Sequence, residues 1–233
     1  MDAVKIKLYQ NLVNYRRELS FGYVQTYPLP TPSMVKGMVH SLLDLNEFNN
    51  LKISIQGKYS TIITNMQKVF KFDRKGRYRE SVIVGISEQS INRGLLFIDL
   101  IVDMELILHI QFDNQELNSS LYEVVQRKPI ILGRNEDIAR LDEVKIVKIN
   151  EKKDADFPLK NNIYLDFEFC RKFQIKGTAY RLPFYYDKVD SFQDKRIFKY
   201  VDVMYVASGE NIIQSSFLID EEEDIVNFLY VDI

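Results

Sequence analysis

Between residues 98 and 112 every even position is apolar: Ile98, Leu100, Val102, Met104, Leu106, Leu108, Ile110 and Phe112. Asp99, Asp103, Glu105, His109 and Gln111 share the other parity. Successive side chains of an extended chain point to opposite faces, so this period of two predicts a long strand with its even face on the core and its odd face, His109 included, at the sheet surface. Two further stretches alternate in the same way. Val4, Ile6 and Leu8 oppose Lys5, Lys7 and Tyr9 over residues 4–14, and Leu51, Ile53 and Ile55 oppose Lys52, Ser54, Gln56 and Lys58 over residues 51–59. Residues 144–149 form a fourth candidate strand.

The period changes twice. Pro28, Pro30 and Pro32 forbid regular structure, and Thr31 or Ser33 is suited to cap a helix starting there. Beyond them Met34, Val35, Met38, Val39, Leu42, Leu43 and Leu45 take one side of a helix, while Lys36, His40 and Asp44 fall at i, i+4, i+8 on the other. Gly37 inside this helix costs about 1 kcal/mol relative to Ala, which points to close approach of another backbone or to packing. A second helix has a capping-box-like start at Asp113 and Glu116, an apolar stripe of Leu117, Leu121, Val124 and Val125, and an end at Arg127, Lys128 and Pro129.

Strand, helix, strand, strand, helix, strand is the order of an α+β, ferredoxin-like (RRM-type) βαββαβ domain, here over residues 1–150, with residues 60–97 inserted as a thumb hairpin. Residues 151–233 are strand-rich, with Ile163, Leu165, Phe167 and Phe169 alternating against Tyr164, Asp166, Glu168 and Cys170. They are expected to form a smaller β-rich C-terminal lobe packed on the first domain.

The 233 residues are 46% hydrophobic, enough for a sizeable core. A single cysteine, Cys170, excludes an internal disulfide and a Cys-rich zinc site, and is expected in a reducing, cytoplasmic setting. Residues 1–10 lack the apolar region of a signal peptide, and the longest apolar tract, 94–112, is interrupted by Asp99, Asp103 and Glu105, so no membrane partner is expected. The near-zero net charge of −2 hides a polarity: residues 1–80 carry +7 and residues 81–233 carry −9. A basic third suggests contact with a polyanion. The acidic run Glu221-Glu222-Glu223-Asp224 is expected to be solvated.

In the insertion, Lys68, Lys71, Arg74, Lys75, Arg77 and Arg79 are interleaved with Phe70, Phe72 and Tyr78. Cations spaced among aromatic faces suit phosphate contact and base stacking on single-stranded nucleic acid, although an edge hairpin protected by Lys and Arg has the same composition. The start of the first helix at Ser33, with Lys36 on its first turn, can seat a phosphate. Gly133, Arg134 and Asn135 form either a phosphate-approaching loop or a turn. For catalysis there are only two histidines. His40 beside Lys36 is the one local pairing for general acid–base work. No nucleotide-binding Gly-Lys-Ser/Thr loop, Gly-x-Ser-x-Gly elbow or His-Glu-x-x-His motif is present, and no cofactor is expected.

The segment Thr26-Tyr27-Pro28-Leu29-Pro30-Thr31-Pro32-Ser33-Met34-Val35-Lys36-Gly37-Met38 resembles the Tyr-Pro-x-Pro-Pro-Ser-x-x-x-Gly-Met signature of a CRISPR-associated RAMP family. Residues 100–110 resemble that family's third core strand. Leu132-Gly133-Arg134-Asn135-Glu136-Asp137 resembles its Gly-Arg loop. The similarity is to the subunit that caps the 5′ handle of the guide RNA (crRNA) in type I Cascade, in a type I-B-like form. The resemblance implies a non-catalytic antiviral-defence subunit, with Tyr27, Ser33, Lys36, Gly37, Gly133 and Arg134 near the handle. It also implies contacts to a Cascade backbone subunit and the large subunit, and to target DNA only through the complex. One branch of the family, type I-C, cuts precursor RNA with a Tyr, Lys and His cluster. No Lys-His dipeptide occurs here, so the alternative, a metal-independent endoribonuclease, rests on His40 and Lys36 alone.

Overall fold

Leu106, Leu108, Ile110 and Phe112 are all buried, and they belong to a strand that begins eleven residues before the alternation does, at Ser87. The computed structural model describes residues 2–18, 20, 22–73, 80–84, 87–188 and 196–231. In chain order its elements are β1 (Asp2–Val13), β2 (Tyr23–Val24), α1 (Pro32–Leu42), β3 (Leu51–Lys58), β4 (Thr61–Asp73), β5 (Glu80–Val84) and β6 (Ser87–Phe112). The second half of the chain holds α2 (Gln115–Val124), β7 (Ile130–Ile131), β8 (Ile138–Lys148), β9 (Asn150–Pro158), β10 (Asn162–Asp166), α3 (Phe167–Lys172), β11 (Thr178–Lys188), β12 (Arg196–Val206), β13 (Asn211–Ile219) and β14 (Ile225–Val226).

The chain is mixed and strand-rich. Its main sheet has the order β11-β12-β10-β3-β6-β1-β8-β7, antiparallel at every pairing along that path. The four strands read from the alternation, β1, β3, β6 and β8, lie side by side at its centre. β10, β12 and β11 prolong this sheet beyond β3, while β14, β13 and β9 form a second, three-stranded sheet. Strand residues beyond 151 are therefore divided between the two. The alternation of 163–169 stops at Asp166, whose carboxylate accepts the Phe169 N–H at 2.8 Å and caps α3. An extended run was expected there; the cap converts it to helix.

One face of the central sheet carries α1 and α2. Val35, Met38, Val39 and Leu42 of α1, with Leu121 and Val125 at α2, pack on Val4, Ile6, Leu8, Ile53, Ile55, Leu108 and Ile110. Thr31 caps α1 by accepting the Met34 N–H, and α2 is capped by Asn114 rather than Asp113, its Oδ1 accepting the Glu116 N–H at 2.9 Å.

The opposite face departs from the sequence expectation. Ser54, His109, Lys5 and Lys145 are register neighbours across β3, β6, β1 and β8, a polar row that periodicity assigns to solvent. Residues 220–229 run over this row. Asn227 N–H donates to Ser54 Oγ at 3.0 Å, Gln56 donates to the Ile225 carbonyl at 2.9 Å, and His109 Nε2 lies 3.0 Å from Asp220 Oδ2. Lys5 Nζ meets Asp220, Glu222 and Asp224 at 2.6, 2.8 and 2.6 Å. Lys5 and His109 are completely buried. The placement of His109 on an open sheet surface is thus corrected; in the acidic run Glu221, Glu222 and Glu223 are exposed, as expected of it, but Glu222 and Asp224 also pair with Lys5, and Glu222 holds Lys7 and Lys145. A buried charge persists only where it is paired, and this one has three carboxylates.

Candidate nucleic-acid interface

α1 and β11 form the two walls of a cleft of about 910 Å³. Helical spacing turns Ser33, Lys36, Gly37 and His40 toward it, and the loop after the helix adds Phe48. The far wall is aromatic: Phe184, Tyr185 and Tyr186 of β11 with Phe198 of β12. Lys36 is 7% exposed, and its ammonium lies 3.4 Å from the centre of the Phe48 ring and 5.0 Å from that of Tyr185, with no hydrogen-bond partner. Burial lowers its pKa to about 8. His40 Nε2 is likewise buried and unpartnered. Burial, and then the charge of Lys36, lowers the His40 pKa to about 4, so the ring is neutral at pH 7. Gly37 has no close backbone neighbour: a Cβ there would meet nothing within 4 Å, and the gap opens on the cleft.

β4 and the outer half of β6 pair continuously from Thr61↔Val102 to Asp73↔Ser90, and β5 pairs with β6 near its start. The inserted segment is therefore an arm that grows out of the core strand itself. Met66 pairs with Phe97, Lys68 with Leu95 and Phe70 with Arg93. Met66, Phe97, Leu95 and Phe70 are all exposed, and Lys68 Nζ and Arg93 Cζ lie 5.5 and 6.0 Å from the Phe70 ring centre. At the root of the arm Asp99 accepts from Tyr23 and Thr64, at 2.6 and 2.8 Å, and Asp103 accepts from Tyr9 and Ser60, at 2.6 and 3.2 Å. Arg74, Lys75, Arg77, Arg79 and the side chain of Lys71 lie outside the described residues.

Gly133, Arg134 and Asn135 lie in a turn closed on Asp137. The buried Asp137 carboxylate accepts from the backbone N–H of Asn14 and Arg134, and forms a bidentate pair with the Arg134 guanidinium at 2.6–3.1 Å. These donors are already engaged within the chain. Tyr27 is also engaged: it is buried, packs edge-on against Tyr180 with 5.8 Å between ring centres, and has the Arg17 guanidinium 5.5 Å from its own. Of the expected site residues that the structure describes, Ser33, Lys36, Gly37 and His40 line one cleft and Lys68 stands on the arm, while Tyr27, Gly133, Arg134 and Asn135 are not among the residues that line the cleft.

Residues 3–203 match the model of a family described as CRISPR-associated protein (Cas_Cas5). The chain belongs to the Cas5 family. No curated protein matches it. Among solved structures, this Cas5-family fold is similar to a chain of a CRISPR RNA-guided surveillance complex, at 11% identity and a TM-score of 0.57, covering 95% of this chain and 92% of that one. Weaker likenesses are a chain of a type III-B Cmr-beta complex bound to cognate target RNA and AMPPnP and a CRISPR protein from Archaeoglobus fulgidus. The first has 12% identity, a TM-score of 0.45 and coverage of 91% and 86%; the second has 11%, 0.44 and 100% of each chain.

The aromatic wall of the cleft went unread in the sequence of this Cas5-family member. Phe48 ends no periodic run, and β11 and β12 lie more than 130 residues from α1 along the chain. Their one local signal is the aromatic cluster Phe184-Tyr185-Tyr186. No helix among the described residues is long and apolar enough to cross a membrane.

Proposed function

We propose that this Cas5-family protein is a non-catalytic, cytoplasmic subunit of a type I CRISPR effector complex, type I-B-like, that binds the 5′ handle of the guide RNA. The family match over residues 3–203 carries this reading. The central strand order β3-β6-β1-β8, with two helices on one face, supports a ferredoxin-like domain over residues 1–150, and the exposed Phe70, Phe97 and Lys68 suit the 60–97 arm to stacking and phosphate contact. Residues 151–233 and the remaining surfaces would meet a backbone subunit and the large subunit, and target DNA would be read by guide pairing.

A second reading, metal-independent RNA cleavage, draws on the convergence of Lys36, His40 and Tyr185 in one cleft. A histidine with its pKa lowered to about 4 is a weak base at pH 7, which favours binding over cleavage. The two readings separate when purified protein is incubated in EDTA with repeat RNA and with RNA ending in the mature handle. Intact, gel-shifted RNA with the handle preferred supports the capping subunit. A discrete cut lost in His40→Ala would overturn it.

A further inference from the structure

The 60–97 arm and the core sheet share one strand, so the backbone itself must fix the angle at which the arm leaves. β6 pairs with β3 as far as Lys58↔Glu105 and with β4 from Thr61↔Val102 onward, with the register unchanged across the junction. Between the two ladders Tyr59 and Ser60 face Asp103 and Met104. There Asp103 has φ +53°, in the left-handed region that a residue other than glycine rarely adopts inside a strand. The consequence lies on either side of it. Met104 and Ile101 stand three residues apart, which in a regular strand turns them to opposite faces, yet both are completely buried in the same core cluster. Leu100 and Ile98, of the same parity as Met104, pack instead with Val24 in a separate small cluster. One left-handed residue therefore rotates the strand and exchanges its two faces where the arm begins.

Two carboxylates brace this bend. Asp103 accepts from Tyr9 of β1 at 2.6 Å and from Ser60, the residue before β4 begins, at 3.2 Å. Asp99, farther out along β6, accepts from Tyr23 of β2 at 2.6 Å and from Thr64 of β4 at 2.8 Å, both on the same oxygen. Each carboxylate thus joins one hydroxyl of the body to one on the arm's outgoing strand. Hydrogen bonds to a carboxylate are shorter and stronger than those between neutral groups. A sparsely populated backbone conformation persists where its surroundings over-determine it, and these ties supply that determination at Asp103.

We infer that Asp99 and Asp103 are positioning residues, a pair of struts that hold the arm at one fixed angle to the core sheet, with the left-handed Asp103 as its elbow. The exposed Met66, Phe70, Leu95 and Phe97 are then presented in one direction, and a partner binds them without first having to order the arm. The fixed angle is a property of the protein alone. Its consequence for binding rests on the RNA-binding reading above.

The test is a distance measurement on the full-length protein. Spin labels at Leu95→Cys on the arm and Glu123→Cys on α2, both exposed, report the arm's angle by pulsed electron double resonance; Cys170, being buried, stays in place. One narrow distance is expected in the labelled protein and in its Asp99→Asn, Asp103→Asn form, because Asn keeps an acceptor oxygen and tolerates the left-handed region. Asp99→Ala with Asp103→Gly leaves that region open but removes both struts, and should broaden or shift the distance. The same two changes, without labels, should weaken binding of RNA ending in the mature handle: an arm in its binding direction about a tenth of the time binds about tenfold more weakly. A narrow distance identical to that of the parent, whether or not the melting midpoint falls, would overturn the struts. A changed distance with handle binding unaltered would leave the struts standing and remove the arm from the RNA-binding reading. If the Ala and Gly variant fails to fold, Tyr9→Phe with Tyr23→Phe, which removes two hydroxyls and keeps both rings, carries the same decision.

Discussion

Replacing Lys5 by Met tests whether the C-terminal segment is held down by a buried charge cluster. The substitution keeps most of the side-chain volume and removes the cation that meets Asp220, Glu222 and Asp224. Asp220 then stays buried with His109 Nε2 beside it and only the backbone N–H groups of Glu222 and Asp224 donating to its Oδ1, each at 2.9 Å. Breaking a buried pair in this way costs about 3–5 kcal/mol, which for a chain of this length lowers the melting midpoint by roughly 6–20 °C. Lys7→Met is the control. Lys7 is a third exposed and bonds Glu143 and Glu222 at 2.7 and 2.9 Å, so its loss should cost at most about 1 kcal/mol.

The pH dependence sharpens the test. Burial alone would raise the Asp220 pKa, but hydrogen bonds from His109 and Lys5 hold it well below the usual carboxylate range. Glu222 is held low by Lys145, Lys5 and Lys7. Groups with depressed folded values stabilise the protein above their unfolded pKa, about 4, and lose that contribution as pH falls through the folded value. Burial of His109 lowers its pKa despite Asp220, which adds a loss that begins below about pH 6.5. The wild type should therefore melt progressively earlier from pH 7 to pH 3. In Lys5→Met the Asp220 carboxyl can take a proton, so the gap between the two proteins should narrow over the same range. Differential scanning calorimetry at pH 7 and pH 4 reads both. A Lys5→Met midpoint no lower than that of Lys7→Met would refute the buried-cluster argument.

Two glycines should respond oppositely in the same assay. Gly133 has φ +114°, and an added Cβ would lie 2.7 Å from Asp137 Oδ2, so Gly133→Ala should cost about 1–3 kcal/mol from backbone strain alone. Gly37→Ala meets nothing and should stabilise α1 by about 0.5–1 kcal/mol. Changing Lys71, Arg74, Lys75 and Arg77 together to Ala should flatten the salt dependence of RNA binding by up to about 3 in the log–log slope; an unchanged slope removes these residues from the phosphate path. Burial, with Asp166 nearby, pushes the Cys170 thiol up to about 12, so iodoacetamide at pH 8 should label the native protein far more slowly than the urea-unfolded chain.

Much of the scaffold is set by short-range pattern. Even-parity burial along β6, the Thr31 cap of α1 and the apolar stripe of α2 are consequences of side-chain direction and of backbone groups left unpaired at helix ends, and both act within a few residues. The same locality set the errors. Phe167 and Phe169 continue an alternation, yet Asp166 caps a helix across them.

Sequence alone determined which residues alternate, where helices start, and that cations and aromatic rings crowd the 60–97 segment. It marked Lys36 and His40 as one face of a helix. Tertiary structure decided what that face meets, because the aromatic wall of Tyr185, Tyr186 and Phe198 arrives from strands far along the chain. It also decided that Ser54, His109 and Lys5 of the polar row are buried, while Lys145 at its end stays exposed. Periodicity reports that a face is polar, but only the path of residues 220–229 reports whether water or another part of the protein satisfies it.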